Sequence, residues 1–384
     1  MKNAFLLTAL AAASLQTAHA VDIKSGDWTV SVGGIVNAYY TAVSCSGDAV
    51  GGLALGGKGI GCGGQGERTT IGNGLLPNGL VTSAASSQGG YDVKALIGIY
   101  NATATDSAIG QNSVVDVRQA YFTFGNAQMG TIKLGRDNGI FGANAIFSDM
   151  TLLGSGAPVQ ATQRGRVTLG HIGAGYSYVG YYGQMAYSTP KNASGVGVDL
   201  GVMSPVADTP IVAGSVYTAK SSPQLQAQLT FAQDGFKGWL GAKTQKFTSV
   251  TPGVGDLSMT GVELGASFTA GPLALLANAQ AGKGLGLLSD ADQGDTRTKA
   301  YLLQGTIKAA EKLKVGASVG LSENDANTVG AHGLKSNANL TLGAYYSLNS
   351  LITLVGEVGQ TRSKAFTSAS TRMNGVSLGG IIFF

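Results

Sequence analysis

The sequence predicts an all-β fold, a closed sixteen-stranded antiparallel transmembrane β-barrel. Three observations carry this expectation. Apolar and polar residues alternate with period two in one segment after another. Short connections alternate with long ones. The composition suits a surface shared by hydrocarbon and water. A membrane barrel needs all three, because its strands turn one face to lipid and the other to an aqueous lumen.

The alternation is clearest in the second half of the chain. Gln224, Gln226, Gln228 and Thr230 fall on one face, with Leu225, Ala227, Leu229 and Phe231 on the other. Met259, Glu263, Ser267 and Thr269 oppose Val262, Leu264, Ala266 and Phe268. Lys314, Gly316, Ser318 and Gly320 oppose Leu313, Val315, Ala317, Val319 and Leu321. Asn339, Thr341, Tyr345 and Ser347 oppose Leu340, Leu342, Ala344, Tyr346 and Leu348. A soluble sandwich would also alternate, but its outward faces would carry many more charges. Nearer the N-terminus, Asp92, Lys94, Gly98 and Tyr100 oppose Val93, Ala95, Ile97 and Ile99. Lys94 should therefore face water, since a charge at the lipid midplane costs about 2–4 kcal/mol.

Tight connections are expected at residues 86–90, 125–128, 191–194, 234–235, 271, 310–311 and 349–350, where Asn, Asp, Gly and Ser tolerate positive φ. Long ones are expected at 44–70, 102–113, 137–178, 205–222, 249–257, 284–297, 323–336 and 364–371. Seven turns and eight loops separate sixteen strands, an even number that brings both termini to one side. The weakest strand is the second, about residues 71–85, where Pro77 and several glycines interrupt the pattern.

Lys2, the apolar run from Ala4 to Leu15 and the triplet Ala18-His19-Ala20 read as a cleaved secretory signal over residues 1–20. A single barrel domain over 21–384 follows. No later stretch reaches the roughly 20 apolar residues of a spanning helix. Charged residues are only 12% and hydrophobic ones 44%, against about 25% charged in ordinary globular domains. Backbone amides in hydrocarbon must pair internally, which leaves a closed barrel. The net charge of +4 is too small to argue for nucleic acid. Cys45 and Cys62 share one Gly-rich segment, a candidate loop disulfide in an exported chain.

The most specific stretch is Arg118-Gln119-Ala120-Tyr121-Phe122-Thr123-Phe124-Gly125 followed by Gly130-Thr131-Ile132-Lys133-Leu134-Gly135-Arg136. It resembles the hairpin that precedes the constriction loop of Gram-negative general porins. The last strand ends Ile381-Ile382-Phe383-Phe384, which resembles the terminal signature read by the outer-membrane assembly machinery. The resemblance implies a homotrimer of barrels in the bacterial outer membrane, in contact with lipid and lipopolysaccharide. It implies passive diffusion of small hydrophilic solutes, no cofactor and no enzymatic activity. It also implies that the third loop, 137–178, folds inward to narrow the pore, with acids on the loop facing cations on the wall. Carried onto this chain, the pore-lining residues are Lys94, Asp116, Arg118, Arg136, Asp137, Asp149, Arg164 and Arg166. The basic excess tilts the expectation toward mild anion preference, because charged rings in a narrow lumen bias permeation. Arg118 and Asp116 share a face, so they could instead form an ion pair that braces the wall. Alternatives are a substrate-specific porin for a small anion or carboxylate, a barrel with an adhesive or structural role, and a barrel hydrolase.

Other signals weigh less. Gly59 to Gly64 spells GxGxxG, but no helical pattern follows. Asp290, Asp292 and Asp295 are candidate Ca²⁺ ligands in an outer loop, without full EF-hand spacing. Asn-x-Ser/Thr triplets at Asn101, Asn192 and Asn339 carry no weight in a bacterial reading. After the signal only His171 and His332 remain for catalysis. His171 reads as a packed, hydrogen-bonded residue, and nothing in the spacing brings His332 to Ser322.

Overall fold

The computed structural model describes residues 20–103, 115–156, 168–190, 192–206, 217–327 and 333–384. Its strands are β1 (Val21–Ser25), β2 (Trp28–Gly47), β3 (Glu67–Gly72), β4 (Asn78–Gln88), β5 (Tyr91–Asn101), β6 (Asp116–Asn126), β7 (Gly130–Asn138), β8 (Tyr181–Ser188), β9 (Val196–Met203) and β10 (Tyr217–Ala219). They continue with β11 (Gln224–Gln233), β12 (Phe236–Ser249), β13 (Leu257–Ala270), β14 (Leu273–Lys283), β15 (Arg297–Ala310), β16 (Leu313–Asn324), β17 (Leu334–Ser347), β18 (Ile352–Ala365) and β19 (Ser370–Phe383).

Neighbouring barrel strands pair antiparallel, and β19 returns to β2 from Thr371↔Gly47 to Phe383↔Ile35. The sheet therefore closes on itself. β3 and β4 both pair with β2 and form one interrupted barrel strand. β10 and β11 share β12 in the same way. β1 is a hairpin folded onto the start of β2 through Gly26. The alternation did not mark it, because all five of its residues are exposed. Sixteen barrel positions result.

Local chemistry explains the connections. Asp234 and Gly235 both hold positive φ, 49° and 81°, as the two-residue turn that matches strand twist demands. The two faces then follow from period two. Along β13, Leu257, Met259, Gly261 and Glu263 are buried while Val262 and Leu264 are exposed. On β11 Gln224, Gln226 and Gln228 are buried and Leu225 and Leu229 exposed. The outer face is thus an apolar band, and the inner face carries the polar groups.

The second strand breaks where Pro77 predicted weakness. Its missing ladder bonds are replaced by asparagines: Asn37 Nδ2 donates to Leu76 O at 3.0 Å, and Gly74 N donates to Asn37 Oδ1 at 2.9 Å. Asn73 Nδ2 donates to Asn78 Oδ1 at 3.0 Å. The break also frees backbone groups of Gly74 and Leu75 for partners outside the sheet.

Candidate functional site

Residues 139–180 connect β7 to β8, and their described parts bond to inner-face side chains around most of the barrel. Ile140 and Phe141 donate backbone N–H groups to Gln226 Oε1 at 2.7 and 2.9 Å. Gly142 donates to Glu263 Oε2 at 3.0 Å, just before the helix α1 (Ala143–Ser148). Met150 donates to Gln304 Oε1 at 2.6 Å. Ser155 and Gly156 donate to Glu357 Oε2 at 2.7 and 2.8 Å. On the return, Gly175 donates to Ser322 Oγ at 3.1 Å and Ser177 to Gln280 Oε1 at 2.8 Å. At the strand break Leu75 donates to Gly154 O at 2.7 Å and Thr168 to Gly74 O at 3.0 Å. Close approach there requires glycine: a Cβ on Gly74 would lie 2.0 Å from Gly154 O.

Asp149 holds the connection together rather than facing water. It caps the 3₁₀ turn Met150–Leu153 by accepting from Thr151 N at 2.9 Å. It also accepts the Tyr176 hydroxyl at 2.7 Å and lies 3.0 Å from His171 Nδ1. The far nitrogen of His171 meets Ser318 Oγ of the wall at 3.1 Å. Burial pushes the Asp149 carboxyl up, but the adjacent His171 and the bonds from His171, Tyr176 and Thr151 outweigh it, leaving its pKa below the usual value. Burial, and then Asp149, push the Tyr176 hydroxyl well up. Asp149 and His171 side chains are both 0% exposed.

The remaining expected site residues divide. Lys94 is half-buried on the inner side of β5, in phase with Leu96 and Tyr100. Arg118 pairs with Asp116 at 2.7 Å and lies over the Tyr181 ring at 5.7 Å. It sits at a bulge: Gly98 faces Gln119 while Ile99 faces Val117. Asp137 is buried and accepts from Gln119 Nε2 at 2.8 Å and from Lys133 Nζ. Arg136 stands exposed on the side of β7 shared with Ile132 and Leu134, opposite Asp137. Period two makes Lys133, not Arg136, the inner cation of this strand. Arg164 and Arg166 lie outside the described residues, as does His332.

The Ca²⁺ candidates do not converge, and among the described residues no cluster of metal-ligating side chains occurs. Asp290 pairs with Lys243 at 2.5 Å, deep in the barrel. Asp292 accepts the backbone amides of Leu287, Leu288 and Ser289. Burial raises its pKa, with those bonds opposing. Asp295 pairs with Lys283 at 2.9 Å. Each carboxylate is spent on a separate structural partner. Cys45 and Cys62 are disulfide-bonded, with Cα atoms 6.2 Å apart.

A closed barrel whose inner face is polar and bonded to a long third connection defines a group of proteins, and the sequence matches the Gram-negative porin family over residues 6–365. The chain belongs to that family. It is an outer-membrane β-barrel, a channel for small solutes. No curated protein matches its sequence. The porin is similar in structure to the outer membrane channel DcaP of Acinetobacter baumannii, with TM-score 0.69 and 17% identity over 94% of this chain and 99% of that one. It is similar to an anion-selective porin from Comamonas acidovorans, with TM-score 0.65 and 17% identity over 93% and 100%. Salmonella typhi OmpF in complex with daunomycin gives TM-score 0.59 and 14% identity over 94% and 100%. At these identities the likeness establishes the fold.

Sequence reasoning missed Glu263 and Glu357 as anchors of the porin's third connection. Each is the one charged residue on the inner face of its own strand, and that was the available signal. It also left Lys308 and Lys314 unassigned. They are cross-strand partners between β15 and β16, with Lys314 lying 4.9 Å from the centroid of the Tyr345 ring.

Proposed function

We propose that the porin is a passive diffusion channel with mild anion preference, narrowed by residues 139–180 acting as a constriction loop folded into the lumen. The loop's hydrogen bonds to inner-face side chains of β11, β13, β14, β15, β16 and β18 support the inward fold. We assign Lys94, Arg118, Lys133, Asp116 and Asp137 to the permeation path, and read the homotrimer, the cleaved signal at 1–20 and recognition of Phe384 by the assembly machinery from family membership.

One observation carries the anion preference. Four inner-face acids are engaged by partners: Asp137 by Lys133, Asp116 by Arg118, and Glu263 and Glu357 by loop amides. Among the described residues, Lys94, Lys308 and Lys314 have no carboxylate in ion-pair reach. Positive charge left unspent in a confined lumen favours anions. An Asp–His–Ser arrangement at Asp149, His171 and Ser318 does not argue for a hydrolase. His171 is 0% and Ser318 2% exposed, so no scissile carbonyl reaches the hydroxyl.

The test is the reversal potential of the reconstituted porin under a KCl gradient. The expected sign is that of chloride, and Lys94→Ala with Lys314→Ala should move it toward zero. A cation-selective reversal potential refutes the preference, and a folded barrel without current refutes the channel. The cross-strand lysines supply a second reading, since like charges directly opposite are unfavourable unless an anion bridges them. Current that saturates with a small carboxylate would mark a substrate-specific porin.

A further inference from the structure

The first long connection, residues 48–66, does not stand out from the barrel rim. Its apex turns inward: Leu53, Ala54 and Leu55 are 2%, 3% and 1% exposed. Leu55 donates its N–H to Asn337 Oδ1 at 3.2 Å, and Asn337 Nδ2 donates to Leu53 O at 2.9 Å. The same Nδ2 reaches Gly173 O on the third connection at 3.2 Å. Gly56 donates to Ser363 Oγ at 2.9 Å, while the Thr371 hydroxyl donates to Gly56 O at 3.3 Å. Asn337, Ser363 and Thr371 are buried inner-face positions of β17, β18 and β19. The apex is therefore pressed against the wall from within, on the side of the barrel where the long connections lie.

Its side chains are apolar, and apolar groups stay in a water-filled channel only when something covers them. Leu53 and Leu55 belong to one buried cluster with Ile172 and Ala174 of the third connection and with Leu287 and Leu288 of the connection between β14 and β15. A Cβ on Gly173 would lie 3.1 Å from Leu55 and 2.7 Å from Leu288. Three connections thus share one small core inside the barrel. Glycines flank the apex at Gly51, Gly52, Gly56 and Gly57 and would let it wander. The Cys45–Cys62 bond ties its return to the end of β2 and shortens the free loop.

We propose that this disulfide-tied first connection is a second size filter, stacked above the proposed third-loop constriction, with Leu53 and Leu55 as its positioning residues and Asn337 as the clasp joining the two. The inference rests on the channel reading and adds a separate element to it.

Polymer-exclusion and single-channel measurements on the reconstituted full porin test it. Deleting residues 51–57 in a Cys45→Ser/Cys62→Ser background should raise conductance and admit larger polyethylene glycols, while the reversal potential still reports an open selective channel. Unchanged conductance and exclusion limit in a barrel shown to be folded by heat-modifiable gel mobility overturn the filter. Absence of current in the parent porin would instead refute the channel reading. If the deletion does not fold, Asn337→Ala with the disulfide reduced decides the matter. Flickering to a higher conductance level supports the filter, and steady parental conductance overturns it.

Discussion

Glu357 accepts the backbone N–H of Ser155 at 2.7 Å, joining positions 202 residues apart. The same carboxylate takes Gly156 N–H at 2.8 Å and the Tyr345 hydroxyl at 2.6 Å. A Cβ on Gly154 would come within 2.2 Å of it. One wall acid thus fixes the loop's turn at Ser155 and Gly156. Hydrogen bonds to charged groups contribute about 1.5–3 kcal/mol each, so neutralising the acceptor should loosen this turn without unfolding the barrel. Glu357→Gln is expected to keep the heat-modifiable mobility of the folded porin while increasing current noise and lowering the voltage at which channels close. Recordings indistinguishable from the parent would show that the turn is held by other contacts.

Asp290 pairs with Lys243 where both side chains are almost sealed, 3% and 2% exposed. Removing one partner strands the other charge, at a cost of about 3–5 kcal/mol. Asp290→Ala should therefore lower the urea midpoint of the refolded porin clearly, and Lys243→Met in the same chain should restore most of the loss. Added Ca²⁺ should leave both midpoints unchanged, because the aspartates serve separate partners.

The loop should hold through neutral and mildly acidic pH and loosen only in strong acid. Asp149 has a folded pKa below its unfolded value. Such a group stabilises the fold above the unfolded pKa, about 3.9, and loses that contribution as pH falls through the depressed folded value. Hydrogen exchange of the amides of residues 168–180 should therefore be protected at neutral pH and lose protection below about pH 4. In Asp149→Asn the protection should be weaker at neutral pH and the acid step absent.

Leu264 lies in the middle of β13 and is 65% exposed on the apolar outer face. Placing a cation at the bilayer midplane costs about 2–4 kcal/mol in a barrel. Leu264→Arg should lower folding stability in lipid vesicles by that amount, measured by urea titration. A polar substitution at the inward neighbour Gly265 would fail differently, since a Cβ there lies 2.2 Å from the Trp239 ring.

Period two is a local property, so the strands, their inner and outer faces and the Asp234-Gly235 turn were legible in the sequence. The weakness at Pro77 was legible too, although its consequence was not: the break exposes Gly74 and Leu75 to the third connection. The lumen was read less well because its contacts join distant residues. The bulge at Arg118 shifts the register between β5 and β6, and nothing in the spacing of charges announces it. Strand phase puts Arg136 on the face opposite Asp137, and Asp149 is enclosed within its own loop. Alternation along the chain determined this porin's wall. Only packing inside that wall decided which acids meet which backbone amides, because those contacts join residues far apart in the chain.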